Sequence, residues 1–398
     1  MVTAPVCDID LYADEVQGNL YPYVARMREA APISWLSKYG VYYATTYNAV
    51  KQCLSSWEAL SSAGGIGLLD NRTTVGPVTR KQVLVGSDPP DHTKHRRVLT
   101  RILSPAATKK LAADYQSAAE RQVTAALERG RFDMVSEVIR PFTVSVLADA
   151  VGIPQEGREH LLILGEMILA SVGPMNERFE QATAHVLQAG SLQWSERISR
   201  RESLSETGFG AEIYAAADAG EIDASEAALL VSLFLFGGVD TTITSLANGI
   251  KNLIDHPDQW ALLVEDPSRA RDAFEEVLRF NVPVQQMYRA VTGRVVIEGI
   301  VLEEGKRIGI SVASANRDPA KFTDPDRFDI RRKPLGHFGF GTGLHACAGQ
   351  VIARMEAHAL LSALARRVRE LGLAGTPQRW ISDGLASWRS LPVEVRPN

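Results

Sequence analysis

Apolar positions along the chain follow two different periods. Over most of its length they recur at i, i+3, i+4 and i+7, the spacing of one buried helix face. This pattern predicts helices over residues 105–129, 156–169, 176–200, 224–255, 269–279 and 351–371. Strict alternation marks two small β regions. One covers 33–46, with Tyr39-Gly40 as its turn, and the other covers 294–312, with turns at Glu298-Gly299 and Glu304-Gly305. The expected fold class is mainly α with a minor β part.

The segment 224–255 stands out. Asp223 can cap its start, with Glu226 three residues on, and His256-Pro257 ends it. At 1.5 Å per residue such a helix runs about 48 Å. It is apolar on most faces, which predicts a path through the core. Its most apolar run, 227–239, is interrupted by Ser232 and falls short of the roughly 20 residues needed to span a bilayer. The expectation is a core helix and no membrane. Within it, Gly237-Gly238 is a natural place for a kink.

No long stretch rich in Pro, Gly or Ser and no internal repeat divides the 398 residues, so a single domain over 1–398 is expected. Residues 61–86 carry Gly64, Gly65, Gly67, Gly76 and Pro77 with little periodicity, as a lid or binding loop would. The 43 basic and 47 acidic residues are intermixed, which speaks against a nucleic-acid partner. The first ten residues have neither a basic nor an apolar leader region, so a cytoplasmic location is expected. Three scattered cysteines, Cys7, Cys53 and Cys347, form neither a disulfide framework nor a zinc knuckle. Cys7 and Cys53 read as incidental thiols. A cysteine that matters here acts alone.

Cys347 has the setting for it. The run Phe340-Gly-Thr-Gly343-Leu-His345-Ala-Cys347-Ala-Gly349 leads into a predicted helix. A helix N-terminus favours an anionic sulfur through its dipole and its free N–H groups. Gly343 permits a tight turn, and Gly349 allows a flat ligand to approach closely. His345 can meet a carboxylate at that ligand's edge. The competing reading of Gly339-Phe-Gly-Thr-Gly343, a dinucleotide loop, requires a parallel βαβ unit that the pattern does not show. Three more groupings carry chemistry: His92-Thr-Lys-His-Arg96, with His92 and Arg96 on one helix face; Gly237-Gly-Val-Asp240-Thr241 in the long helix; and Glu276-Val-Leu-Arg279, whose charged ends can pair.

In this order and spacing the four motifs resemble those of cytochrome P450, whose haem loop reads Phe-x-x-Gly-x-x-x-Cys-x-Gly. The resemblance implies the P450 fold and haem b (iron protoporphyrin IX), with Cys347 as the iron ligand in a loop that includes Phe340, Gly343 and Gly349. It implies that His92, Arg96, Arg289 and His345 hold the haem propionates. Gly237 would leave room above the iron, and Asp240 and Thr241 would deliver protons during oxygen activation. Glu276, Arg279 and Arg327 would form a buried structural network. The activity implied is that of a monooxygenase fed by a [2Fe–2S] ferredoxin and its reductase, with Lys94, Arg97 and Arg101 as a basic patch for that partner.

A closer resemblance runs to bacterial members that oxidise para-substituted benzoates, including 4-methoxybenzoate O-demethylases. It is carried by Gln155-Glu-Gly-Arg-Glu-His-Leu-Leu162, Ser314-Ala-Asn-Arg-Asp-Pro319 and Leu361-Ser-Ala-Leu-Ala-Arg366. It implies a compact aromatic substrate, with Arg80 near the position of an arginine that holds the carboxylate. Two serine positions of that subgroup are Leu233 and Phe236 here, which opens the pocket to neutral phenols and aryl ethers. Leu169, Val172, Phe234, Phe236, Met287 and Tyr288 are expected to line it. A peroxide-driven peroxygenase is a nearer alternative, and a non-catalytic haem sensor or carrier one from a different class.

Overall fold

The structure, a computed structural model, describes residues 2–72 and 83–398. Arg80 lies outside the described residues. The long helix spans Ala224–Asp255, starts at a capping box formed by Asp223 and Glu226, and runs without a break through Gly237-Gly238. Val231, Leu235, Val239, Ile243, Leu246, Ile250 and Leu253 are all buried along it. Around it pack the helices Arg140–Val151, His160–Ala170, Phe209–Asp218 and Ala270–Phe280, with Gln350–Arg367 crossing nearby. These make the larger core.

The strands in chain order are β1 Val6–Cys7, β2 Ile33–Leu36, β3 Val41–Ala44, β4 Leu60–Ser61, β5 Arg131–Asp133, β6 Gln286–Val291, β7 Val295–Ile297, β8 Ile300–Leu302, β9 Arg307–Ser311, β10 Val368–Leu373, β11 Gln378–Ile381, β12 Ala386–Ser390 and β13 Pro392–Pro397. One sheet has the order β1-β2-β3-β9-β6-β4 and covers a second core, with the helix Tyr21–Ala30 beside it. Both predicted hairpin regions form. Gly40 at φ +62°, Gly299 at +77° and Gly305 at +80° occupy the left-handed turn positions.

Several predicted helices have different limits. The 105–129 segment divides into Pro105–Thr108 and Leu111–Leu127, and 176–200 into Glu177–Gln188 and Ser191–Ile198, parted at Gly190 with φ +66°. The last predicted helix stops at Arg367. Residues 368–371, apolar at helical spacing, instead enter β10 and pair antiparallel with β13. Tertiary pairing overrides the local pattern there.

The predicted buried network also changes membership. Glu276 and Arg279 are fully buried and joined by two bonds of 2.8 Å. Arg279 also donates to the carbonyls of Pro325 at 2.7 Å, Arg327 at 3.1 Å and Asn316 at 3.2 Å. The second guanidinium on Glu276 belongs to Arg332, at 3.2 Å. Arg327, expected in that role, turns its side chain out to solvent and contributes only its backbone carbonyl. A turn through Asp329–Arg332 brings Arg332 back over Glu276, while the Arg327 side chain points away.

Candidate haem site

The Cys347 loop is folded by its own backbone. Gly341 and Gly343 adopt φ of +65° and +67°, and the Cys347 N–H donates to the Phe340 carbonyl at 2.8 Å. The guanidinium of Arg354 lies 4.4 Å from the Phe340 ring centre and is held by Glu275, which also binds His337 at 2.9 Å. Burial pushes the Cys347 thiol up, while N–H groups of Gly349 and Gln350 and the charges of Arg96 and Arg354 pull it down. Gly349 sits at the start of the Gln350–Arg367 helix, where a side chain would meet, among the described residues, only the Cys347 sulfur, at 4.0 Å.

One stripe of the long helix is open although its flanks are buried. Gly237 is exposed and a side chain on it would touch nothing within 4 Å among the described residues, while Leu233, Phe236 and Thr241 are half-buried. Its neighbour Gly238 serves another purpose, since a methyl there would lie 2.7 Å from Leu147 of the Arg140–Val151 helix. Thr241 donates its hydroxyl to the Gly237 carbonyl at 2.8 Å. Asp240 is buried, its Oδ2 has no hydrogen-bond partner among the described residues, and burial pushes its carboxyl up to about 7. Arg140 opposes that rise and Glu166 adds to it.

Four basic side chains converge at one edge of the site. The His92 and His345 ring centres are 4.5 Å apart, and His345 Nε2 lies 3.0 Å from the Ser62 hydroxyl. Neither His92 nitrogen has a partner among the described residues. Burial, followed by Arg289, His92 and Arg96, pushes His345 down to about 3, so its ring is neutral. Arg289 is 4% exposed and burial lowers it to about 10. Its bonds go to the Tyr288 carbonyl at 3.0 Å and the Met287 sulfur at 3.8 Å, and Arg96 donates to the Ala346 carbonyl. No carboxylate pairs with Arg96 or Arg289 among the described residues. The charge of Asp88 offsets the burial of Arg289 without pairing with it, and Arg96 is half-buried. A buried cation without a paired anion is costly, so this donor set fits a ligand that brings its own carboxylates, as haem does with two. The residues fit the group.

The predicted pocket residues are only partly gathered. Leu169, Val172, Leu233 and Phe236 are half-buried, with Val172 tied by its carbonyl to Leu68 N at 2.8 Å. Tyr288 is not a lining residue. Strand period places it on the face of β6 opposite Met287 and Arg289, where it is fully buried and bonded to Tyr12 at 2.9 Å. Phe234 packs on Phe209 with ring centres 5.2 Å apart, away from the open stripe. Arg307, not anticipated, holds the glycine loop through the carbonyls of Gly65 at 2.7 Å and Gly67 at 2.6 Å. Ser62 was also missed. It follows directly on β4, whose pairing with β6 brings it near Arg289.

A sequence model of the cytochrome P450 family matches residues 161–370, and the chain is 38% identical over 394 residues to cytochrome P450 CYP199A2 of Rhodopseudomonas palustris, covering 99% of this chain and 95% of that one. The chain belongs to the cytochrome P450 family. A steroid C26-monooxygenase of Rhodococcus jostii is 26% identical, with 98% of this P450 and 84% of that protein aligned. Among solved structures, CYP109E1 of Bacillus megaterium in complex with testosterone superposes with a TM-score of 0.85 at 25% identity, over 96% of this P450 and 99% of the other. This P450 is thus an oxidoreductase of the monooxygenase class, and haem b is its cofactor.

Proposed function

We propose that this P450 transfers one oxygen atom of O2 to a compact aromatic substrate, by hydroxylation or O-demethylation, and that a para-substituted benzoate is the preferred class. The observation that carries the reading is the buried Asp240, whose Oδ2 has no hydrogen-bond partner among the described residues, next to Thr241 on the open stripe of the core helix. When bound through Cys347, haem supplies oxygen activation, aided by electron density from the thiolate and consuming two electrons and two protons.

The protein's own residues divide the remaining work. His92, Arg96, Arg289 and His345 orient the propionates through charge and hydrogen bonds. Asp240, near neutrality in its proton affinity, picks up protons from the side of Arg140 and Glu166. Thr241 holds a hydroxyl proton beside the open space at Gly237. Leu169, Val172, Leu233 and Phe236 exclude water and select by shape. A non-catalytic haem sensor would have no use for Asp240 and Thr241.

The electron donor proposed is a [2Fe–2S] ferredoxin with its reductase. The basic patch expected for it is partly neutralised, because Lys94 binds Glu226 at 2.6 Å and Arg101 binds Glu221 at 2.8 Å. Arg97 and Arg101 remain more than half exposed and can still steer an acidic partner. Comparing turnover with ferredoxin and with peroxide separates this reading from a peroxygenase.

Leu233 and Phe236, apolar where the benzoate-oxidising subgroup has serines, favour a second reading in which the substrate is a neutral phenol or aryl ether. Displacement of the iron-bound water by matched pairs, 4-methoxybenzoate against 4-methoxytoluene, distinguishes the two. Tighter binding of the acid is expected, with Arg80→Ala removing the preference at a cost of about 2–5 kcal/mol. Equal binding by both members of each pair would establish selection by shape alone.

A further inference from the structure

A cleft of about 640 Å3 lies between the helix Tyr21–Ala30 and the β11–β12 hairpin. That is the size of a small-molecule site, for which about 300–1,000 Å3 is usual. It is lined by three guanidinium groups, Arg28, Arg317 and Arg379, and by the carboxylate of Asp326. Arg317 is already satisfied. It donates to the Phe280 carbonyl at 2.9 and 2.7 Å, pairs with Asp326 at 3.0 Å, and lies 3.8 Å from the ring centres of both Tyr21 and Phe280.

Arg28 and Arg379 are not satisfied in this way. Arg28 donates to the carbonyl and hydroxyl of Ser314 at 3.0 and 2.9 Å, and Arg379 to the Gly18 carbonyl at 3.2 Å. Neither forms an ion pair among the described residues. A guanidinium offers five donors, so both have donors to spare. Burial lowers the proton affinity of each; at Arg28 the nearby charges of Asp318, Asp326 and Glu29 oppose that fall without pairing directly, while no carboxylate among the described residues does so at Arg379. The cleft is not merely basic. Tyr21 and Trp388 form part of its wall, and Arg379 lies 4.7 Å from the Trp388 ring centre, so a flat apolar surface adjoins the cations.

We propose that this cleft is a second binding site, distinct from the haem site, for a small flat organic anion, with Arg28 and Arg379 holding its carboxylate and Tyr21 and Trp388 bordering its ring. Two guanidinium groups suit a carboxylate because each can present paired N–H donors. An aromatic wall makes a ring-bearing acid a better occupant than a bare inorganic anion.

The test uses the holoenzyme with its haem pocket filled by saturating 4-phenylimidazole, titrated calorimetrically with benzoate, benzyl alcohol or inorganic phosphate. Benzoate is expected to bind one site per chain, and the other two at least tenfold more weakly. Replacing both arginines, Arg28→Ala with Arg379→Ala, should weaken benzoate at least tenfold while the Soret band of the azole complex stays unchanged. Arg379→Lys, which keeps the charge, should retain most of the affinity. Arg28→Gln alone gives the same reading should the double variant not fold. No benzoate uptake, uptake matched by benzyl alcohol or phosphate, or uptake indifferent to the arginine substitutions would each overturn the proposal.

Discussion

A methyl group built on Gly165 would lie 1.6 Å from Oδ2 of Asp240. The His160–Ala170 helix therefore has a notch where the long helix carries its buried carboxylate. Gly165→Ala should force Asp240 out of place, and overpacking of this kind costs about 1–3 kcal/mol. The expected outcome is a lower melting temperature and slower turnover, with haem content and substrate-induced spectral shift retained. Turnover equal to the native enzyme would mean that Asp240 can leave its position without consequence.

The raised carboxyl of Asp240 predicts a pH dependence with a definite sign. Its folded value of about 7 stands above the ordinary 3.8, so between these values the folded state binds more protons than the unfolded chain. Stability therefore falls as pH rises through that window. Melting curves recorded from pH 5 to 8 should show this fall, and Asp240→Asn should flatten it. A native curve as flat as the variant's would place the carboxyl in its ordinary range.

Thr241→Ala should leave haem and substrate binding nearly intact while separating electron use from product. Loss of a positioned proton-transfer group typically costs about 10²–10⁴ in the step it serves. Reduced nicotinamide should still be consumed, with hydrogen peroxide replacing oxygenated product. Unchanged coupling would assign the protons to another group.

Cys347→His should abolish the red-shifted Soret band of the ferrous carbonyl complex together with oxygenase activity. The backbone N–H groups of Gly349 and Gln350 that support the sulfur have no equivalent role toward an imidazole. Persistence of the band would rule out the sulfur as ligand.

The buried network predicts a ranking that differs from the motif-based expectation. Arg279→Ala leaves Glu276 without its main partner and should cost about 3–5 kcal/mol. Arg332→Ala, at a partly exposed position, should cost less but measurably. Arg327→Ala should stay within about 0.5 kcal/mol, as surface changes do. Chemical denaturation of the three variants gives the order directly. A larger loss at 327 than at 332 would contradict the observed pairing.

The place of Cys347 just before a helix and the long helix itself were legible because each has a strong local pattern. A glycine-flanked cysteine at a helix start and a 32-residue apolar helix with a capping box need no distant partner to be recognised. Arg327 and Arg332 could not be told apart because the choice depends on a turn at 329–332. Tyr288 was misplaced for want of its strand register. Once Arg289 faces the basic cluster, period two sends Tyr288 to the opposite face. Gly165 gave no signal, being one small residue in a helix whose close neighbour is 75 positions away. The residues 368–371 have helical spacing, and only pairing with β13 decides otherwise.

Gly237 and Gly238 are adjacent and identical, yet they answer to different constraints. Enlarging residue 238 presses on a buried leucine and sets the distance between two helices, so a saturation library should lose folded protein there, recovered in part when Leu147 is shortened. Enlarging residue 237 presses on nothing among the described residues. Folded, haem-loaded variants should survive at that position with an altered choice of ligand. For directed evolution, one glycine is a fixed hinge pin of the architecture and its neighbour is an adjustable aperture.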